Sequence, residues 1–149
     1  MAVEEIYNFL QLSETIGTAG QPTAEQLADI QAAGYQVIIN LAMPTAKQAL
    51  PNEAGLVTQL GLKYVAIPVV WDQPLLTDVQ TFFAVMQANQ GQKIFVHCIA
   101  NMRVSALMYL YRIVCEGIKP EQAQTDLQQI WLPNDTWQQL IDRVLEQYQ

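Results

Sequence analysis

The stretch "KIFVHCIANMRVSALMYLYR" (residues 93–112) decides how this chain is read. Its opening "KIFVHC" is an apolar run that predicts a buried strand ending at His97 and Cys98. From Arg103 the apolar residues recur at helical spacing, which predicts a helix closed by Gly117. Four residues, Ile99, Ala100, Asn101 and Met102, lie between Cys98 and Arg103. A strand, a short loop and a helix start in that order form a concavity of backbone N–H groups backed by the positive end of a helix, and such a concavity attracts anions. The same field lowers the pKa of a thiol placed in it and favours the thiolate nucleophile. Arg103 adds a forked, permanently charged clamp for an oxyanion. Ser105 is placed to hydrogen-bond the sulfur, and His97 to orient the loop through its ring nitrogens.

Working upstream, "EEIYNFLQ" (residues 4–11) has helical spacing, and "SETIGTAGQP" (residues 13–22) reads as a short strand followed by a Gly-Gln-Pro turn. Thr23 and Gln26 form a capping box that opens a helix ended by Gly34. "YQVIINLA" (residues 35–42) is a buried strand. A proline-broken loop follows at residues 43–52, then a short helix over residues 53–61. "KYVAIPVV" (residues 63–70) is a strand that Pro68 ends early or places at an edge. "WDQPLL" (residues 71–76) is a loop, and Thr77 caps the helix after it. Downstream of Gly117, Pro120 opens one helix and Asn134 or Asp135 caps a last one. Strands alternate with helices, and apolar strands without strict alternation require cover on both faces. The expected fold is one α/β domain over residues 1–149, a three-layer sandwich around a mostly parallel sheet.

Composition narrows the function. Hydrophobic residues make up 51% of the chain and charged residues 14%, a globular balance. The net charge is -7 and the seven basic residues do not cluster, which argues against a nucleic-acid partner. Any anion site must therefore be local. One histidine and two cysteines argue against a metal centre. No apolar run reaches ~18 residues and no leader is visible, so neither a membrane span nor export is expected. Two cysteines are too few for a disulfide framework, which suits a cytoplasmic setting. Cys115, Trp131, Trp137 and the aromatic stripe at residues 108–112 read as core.

His97, Cys98, Arg103 and Ser105 resemble the signature of cysteine-dependent protein tyrosine and dual-specificity phosphatases. "TAGQPTAEQLADIQAAGYQVIINL" (residues 18–41) and "YVAIPVVWDQP" (residues 64–74) resemble a bacterial phosphatase-like family whose domain also occurs fused to β-lactamase-like hydrolases. The resemblance implies that Cys98 attacks phosphorus in a phosphorylated protein or a small phosphomonoester, forming a thiophosphate intermediate without metal or cofactor. It implies that the amides of Ile99, Ala100, Asn101, Met102 and Arg103 hold the oxyanion, that Asp72 is the general acid, and that Asn40 and Gln21 brace the loop. Asp78 beside Thr77 fits the first turn of a helix instead.

The spacing leaves alternatives open. The signature has five residues between cysteine and arginine, whereas this loop has four. Aligned on Arg103, the loop is one residue short. Aligned on Ser105, Val104 takes the arginine's place and Arg103 is turned by about 100° around the helix. Four residues also resemble the loop of single-domain rhodaneses, where the cysteine carries a persulfide. A catalytically inactive anion-binding module is the third reading.

Overall fold

In the computed structural model, which describes residues 2–148, a five-stranded sheet runs in the order β1-β2-β5-β3-β4. The strands are β1 (Leu10–Gln11), β2 (Ile16–Ala19), β3 (Val37–Asn40), β4 (Lys63–Ala66) and β5 (Ile94–His97). All pairings are parallel except β1 with β2. The helices are α1 (Ala24–Ala32), α2 (Glu53–Gln59), α3 (Leu76–Ala88), α4 (Met102–Val114), α5 (Pro120–Gln128) and α6 (Asp135–Gln147).

The three layers follow from the strand period. On β3, Val37 and Ile39 face one way and Ile38 the other; on β5, Ile94 and Val96 oppose Phe95. Val37, Ile39, Ile94 and Val96 join a core with Phe82 and Met86 of α3, Leu107 and Tyr111 of α4, and Trp137 and Ile141 of α6. Ile38 and Phe95 join a second core with Leu27 and Ile30 of α1 and Val57 of α2. A strand buried on both faces needs no polar alternation, which is why the continuous apolar runs were informative.

Three expectations need correction. Residues 4–11 are not a helix: a 3-10 turn at Val3–Glu5 gives way to left-handed Asn8 (φ 53°), and Leu10 and Gln11 pair with Thr18 and Gly17 as an antiparallel edge. Thr77 does not cap α3, which begins at Leu76; the Asp78 carboxylate accepts from the Leu75 N–H at 2.9 Å and serves the helix entrance. Helix α4 starts at Met102, one residue before Arg103. Pro68 behaves as expected, because β4 stops at Ala66 and is the sheet's outer strand. Asn134 caps α6 by accepting from the Trp137 N–H at 3.0 Å.

Candidate active site

Register sets the site's address. His97 ends β5 flanked by Ala19 of β2 and Asn40 of β3, so Cys98 emerges at the carboxyl edge of the central strands. That edge is where parallel sheets place their ligand crevices. Cys98 is 1% exposed and joins the core that holds Val96 and Val104. Asn101, at φ 64°, turns the chain sharply into α4, and the Ser105 N–H closes the first helical bond onto the Asn101 carbonyl at 2.9 Å.

Three consecutive carbonyls of this loop are held on its outer side. The Cys98 carbonyl lies 3.1 Å from His97 Nδ1. The Ile99 carbonyl accepts from the Gln21 N–H at 3.0 Å. The Ala100 carbonyl accepts from Asn8 Nδ2 at 3.0 Å. In a planar trans peptide the N–H points opposite to the C=O. Holding the Cys98 and Ile99 carbonyls outward therefore aims the Ile99 and Ala100 N–H groups inward. Among the described residues, the N–H groups of Ile99, Ala100, Met102 and Arg103 make no hydrogen bond to protein. Unpaired donors around a cysteine, with a helix N-terminus behind them, make a cradle for an anion.

The outer wall is tight. Gly20 bridges Ala100, and a Cβ on Gly20 would collide with the Ile99 carbonyl oxygen and the Tyr7 ring. Asn101 Nδ2 donates to the Asn8 carbonyl at 2.8 Å and to Thr18 Oγ1 at 3.1 Å. The N-terminal segment thus supports the loop, a role that a helical reading of residues 4–11 hid.

Behind the loop sits a polar cluster. His97 is fully buried, and its Nε2 lies 2.6 Å from Glu53 Oε2. Glu53 is itself 5% exposed, and its Oε1 accepts from Gln21 Nε2 at 2.9 Å. Gln21 meets the loop through its backbone N–H, which donates to the Ile99 carbonyl, and meets the cluster through its amide, which donates to Glu53. Asn40 does not: its amide donates to Tyr64 Oη at 3.1 Å and its carbonyl oxygen accepts from the Ala42 N–H at 2.9 Å. Burial holds the Tyr64 phenol above its usual pKa, against a smaller opposing effect of the Asn40 bond, so it stays neutral beside that amide.

Arg103 occupies the second position of α4 and is 8% exposed. Its Nη1 donates to the Val69 carbonyl at 2.9 Å, and its guanidinium lies 5.8 Å from the centre of the Trp71 ring. Val104 is fully buried in the core, so no arginine could occupy that place without displacing it. The Ser105 hydroxyl turns from the sulfur: it donates to the Met102 carbonyl at 3.0 Å and accepts from Trp131 Nε1 at 3.1 Å. That corrects the expected contact with Cys98.

Asp72 sits exposed in a turn between Trp71 and Gln73. The turn is anchored rather than loose. Trp71 packs against Trp131 and Trp137, with ring centres 5.3 and 5.8 Å apart, and its carbonyl accepts from Trp137 Nε1 at 2.8 Å. Arg103 thus joins the cradle to the turn that carries Asp72.

Glu53, Asn8 and Trp71 escaped the sequence reading. Glu53 sits in the first turn of α2, where an acidic residue is expected for the helix dipole alone, and nothing in its spacing links it to His97. Beside the loop lies a cavity of about 740 Å³ bounded by Tyr7, Pro22, Leu50, Pro51, Ile99 and Ala100, and another of about 370 Å³ touches Asn40, Glu53 and Tyr64. No Lys or Arg lines either. Lys47 lies in the segment that contributes Gln48 to the first cavity and Pro44 to the second. Among the described residues, no helix is long and apolar enough to cross a membrane.

Comparison with known proteins bears on family and fold. Residues 9–142 match the family model described as DSP-PTPase phosphatase fused to NAD+ kinase. The crystal structure of a DUF442 protein from Shewanella putrefaciens CN-32 is 38% identical, with a TM-score of 0.90 over 98% of this chain and 96% of that one. Kinase associated phosphatase shares the fold at 14% identity, with a TM-score of 0.82 and 97% of each chain covered. A beta-lactamase hydrolase-like protein of Xylella fastidiosa (strain Temecula1) is 25% identical over 77% of this chain, which spans only 27% of that protein's length.

Proposed function

Because this chain belongs to the DSP-PTPase phosphatase family, we propose that it hydrolyses phosphomonoesters with Cys98 as nucleophile. The observation that supports the reading is the set of held carbonyls after Cys98, with the N–H groups of Ile99 and Ala100 left unpaired. The Cys98 thiolate attacks phosphorus, an S–P bond forms, and the P–O bond to the leaving group breaks. Asp72 gives its proton to the departing oxygen. A water then attacks phosphorus and returns a proton to Asp72, releasing phosphate and the thiolate. The Ile99 and Ala100 amides and the free N–H groups of Arg103 hold the equatorial oxygens. Family phosphatases act on phosphorylated substrates.

A second reading, sulfur transfer, is favoured by one observation. The four-residue loop puts Arg103 one place early, with a guanidinium donor spent on Val69. A smaller cradle suits a single sulfur atom. In that reaction the Cys98 thiolate attacks the sulfane sulfur of thiosulfate, sulfite leaves, and the persulfide passes its sulfur to a thiol.

Intact-mass measurement after incubation with an aryl phosphate or with thiosulfate tests both. Phosphate on Cys98 in an Asp72→Asn background supports hydrolysis. A gain of one sulfur with no phosphate adduct overturns it in favour of transfer. Neither adduct on a folded chain leaves an anion-binding module.

A further inference from the structure

We propose that Glu53 is a positioning residue for the nucleophile loop, acting through His97 on the Cys98 carbonyl. The inference goes beyond the choice between phosphate and sulfur, and rests only on Cys98 being the nucleophile, which both share.

The argument is a proton inventory. The Cys98 carbonyl can only accept, so the His97 Nδ1 that lies 3.1 Å from it carries a hydrogen. One proton must then lie between His97 Nε2 and Glu53 Oε2, which are 2.6 Å apart. Whether nitrogen or oxygen holds that proton, Nδ1 keeps its own. Glu53 thus holds the ring in the orientation that pins the Cys98 carbonyl outward, as partners behind a histidine do at metal sites. Pinning that carbonyl turns the Ile99 N–H toward the sulfur. Gln21 closes the circuit: its amide fixes Glu53 Oε1 at 2.9 Å, and its backbone N–H fixes the next carbonyl, Ile99, at 3.0 Å. A carboxylate behind the loop, outside the cradle itself, therefore sets the direction of the cradle's first donor.

Without Glu53, Nε2 would be a buried ring nitrogen with no partner. The ring then loses the contact that fixes its orientation, and Nδ1 is free to swing away from the Cys98 carbonyl. Glutamine at position 53 avoids this. Its oxygen accepts from Gln21 and its NH2 donates to Nε2, preserving every hydrogen bond without the carboxylate.

The test is the rate of Cys98 carboxymethylation by iodoacetate in the full chain at fixed pH, read by peptide mass spectrometry with Cys115 as internal reference. Glu53→Gln should stay within about twofold of wild type, and Glu53→Leu should slow Cys98 by about tenfold or more with Cys115 unchanged, the scale on which such outer partners act. Glu53→Leu reacting at the wild-type rate overturns the proposal, as does Glu53→Gln reacting as slowly as Glu53→Leu. If Glu53→Leu does not melt as a folded protein, Glu53→Met decides, because it keeps the length of the side chain and removes only its hydrogen bonds to His97 and Gln21. It should slow Cys98 by about tenfold or more, and a wild-type rate for Glu53→Met overturns the proposal. Wild-type Cys98 reacting no faster than Cys115 overturns the nucleophile assignment itself, a result distinct from any Glu53 effect.

Discussion

Arg103 Nη1 donates to the carbonyl of Val69 at 2.9 Å, tying the first turn of α4 to the segment that leads into Asp72. A guanidinium can serve that carbonyl and an anion together because its donors fan out in a plane. An ammonium cannot. Arg103→Lys should therefore lower kcat/KM for an aryl phosphate by about a hundredfold, the cost of losing a transition-state donor. Steady-state kinetics check this, and unchanged kinetics would remove Arg103 from the cradle.

Asp72 is exposed and unpaired among the described residues, as a proton donor to a leaving group must be reachable. Asp72→Asn should slow phosphate release by about 10²-fold or more. The loss should shrink for leaving groups that need no proton, and sulfur uptake from thiosulfate should be unaffected. Untouched phosphate release across a leaving-group series would assign the acid elsewhere.

Gly20 is where a methyl group is least welcome. Its Cβ would press on the Ile99 carbonyl oxygen and on Tyr7. Gly20→Ala should cost about 1–3 kcal/mol of stability, as overpacking does. It should also slow Cys98 alkylation by tilting the Ile99 peptide. Chemical denaturation and alkylation rates read the two effects separately.

Trp137 donates from Nε1 to the Trp71 carbonyl at 2.8 Å and is otherwise core. Trp137→Phe keeps most of the packing and loses the bond, for about 0.5–1.5 kcal/mol. If this bond holds the Asp72 turn, kcat should fall while Cys98 alkylation stays at the wild-type rate. An equal fall in both would mean the whole site had shifted.

Cys115 supplies a contrast with pH. Burial raises the pKa of its thiol, and Glu116 adds to that in a smaller measure. A raised thiol pKa means that the neutral form persists to higher pH and the thiolate appears only above it. Alkylation of Cys115 should therefore be slow at neutral pH and climb only in alkaline solution. Fast labelling of Cys115 at neutral pH would contradict that direction.

Much of the fold was legible along the chain. Residues 93–98 were readable as a buried strand because both its faces are covered, so the apolar run is unbroken. Gly34 could be read as a helix end because only its left-handed φ of 93° fits there. Residues 4–11 misled because Ile6 and Phe9 do face a core, but from a 3-10 turn and the approach to a short edge strand rather than one helix. Their pairing partner lies in β2, which local periodicity cannot see.

The sequence by itself determined the alternation of elements, the α/β class and the strand–loop–helix around Cys98, since these depend on periodicity, turn residues and neighbours a few positions apart. It left open which alignment of Arg103 holds, and only the tertiary structure decided that Arg103 reaches Val69, that Val104 is core and that Ser105 turns to Trp131. Glu53 makes the reason plain. It stands 44 positions from His97, and only the packing of α2 against the sheet brings Oε2 to 2.6 Å from Nε2. Hydrogen-bond partners of buried polar groups are chosen in three dimensions, where the cost of leaving one unpaired is felt.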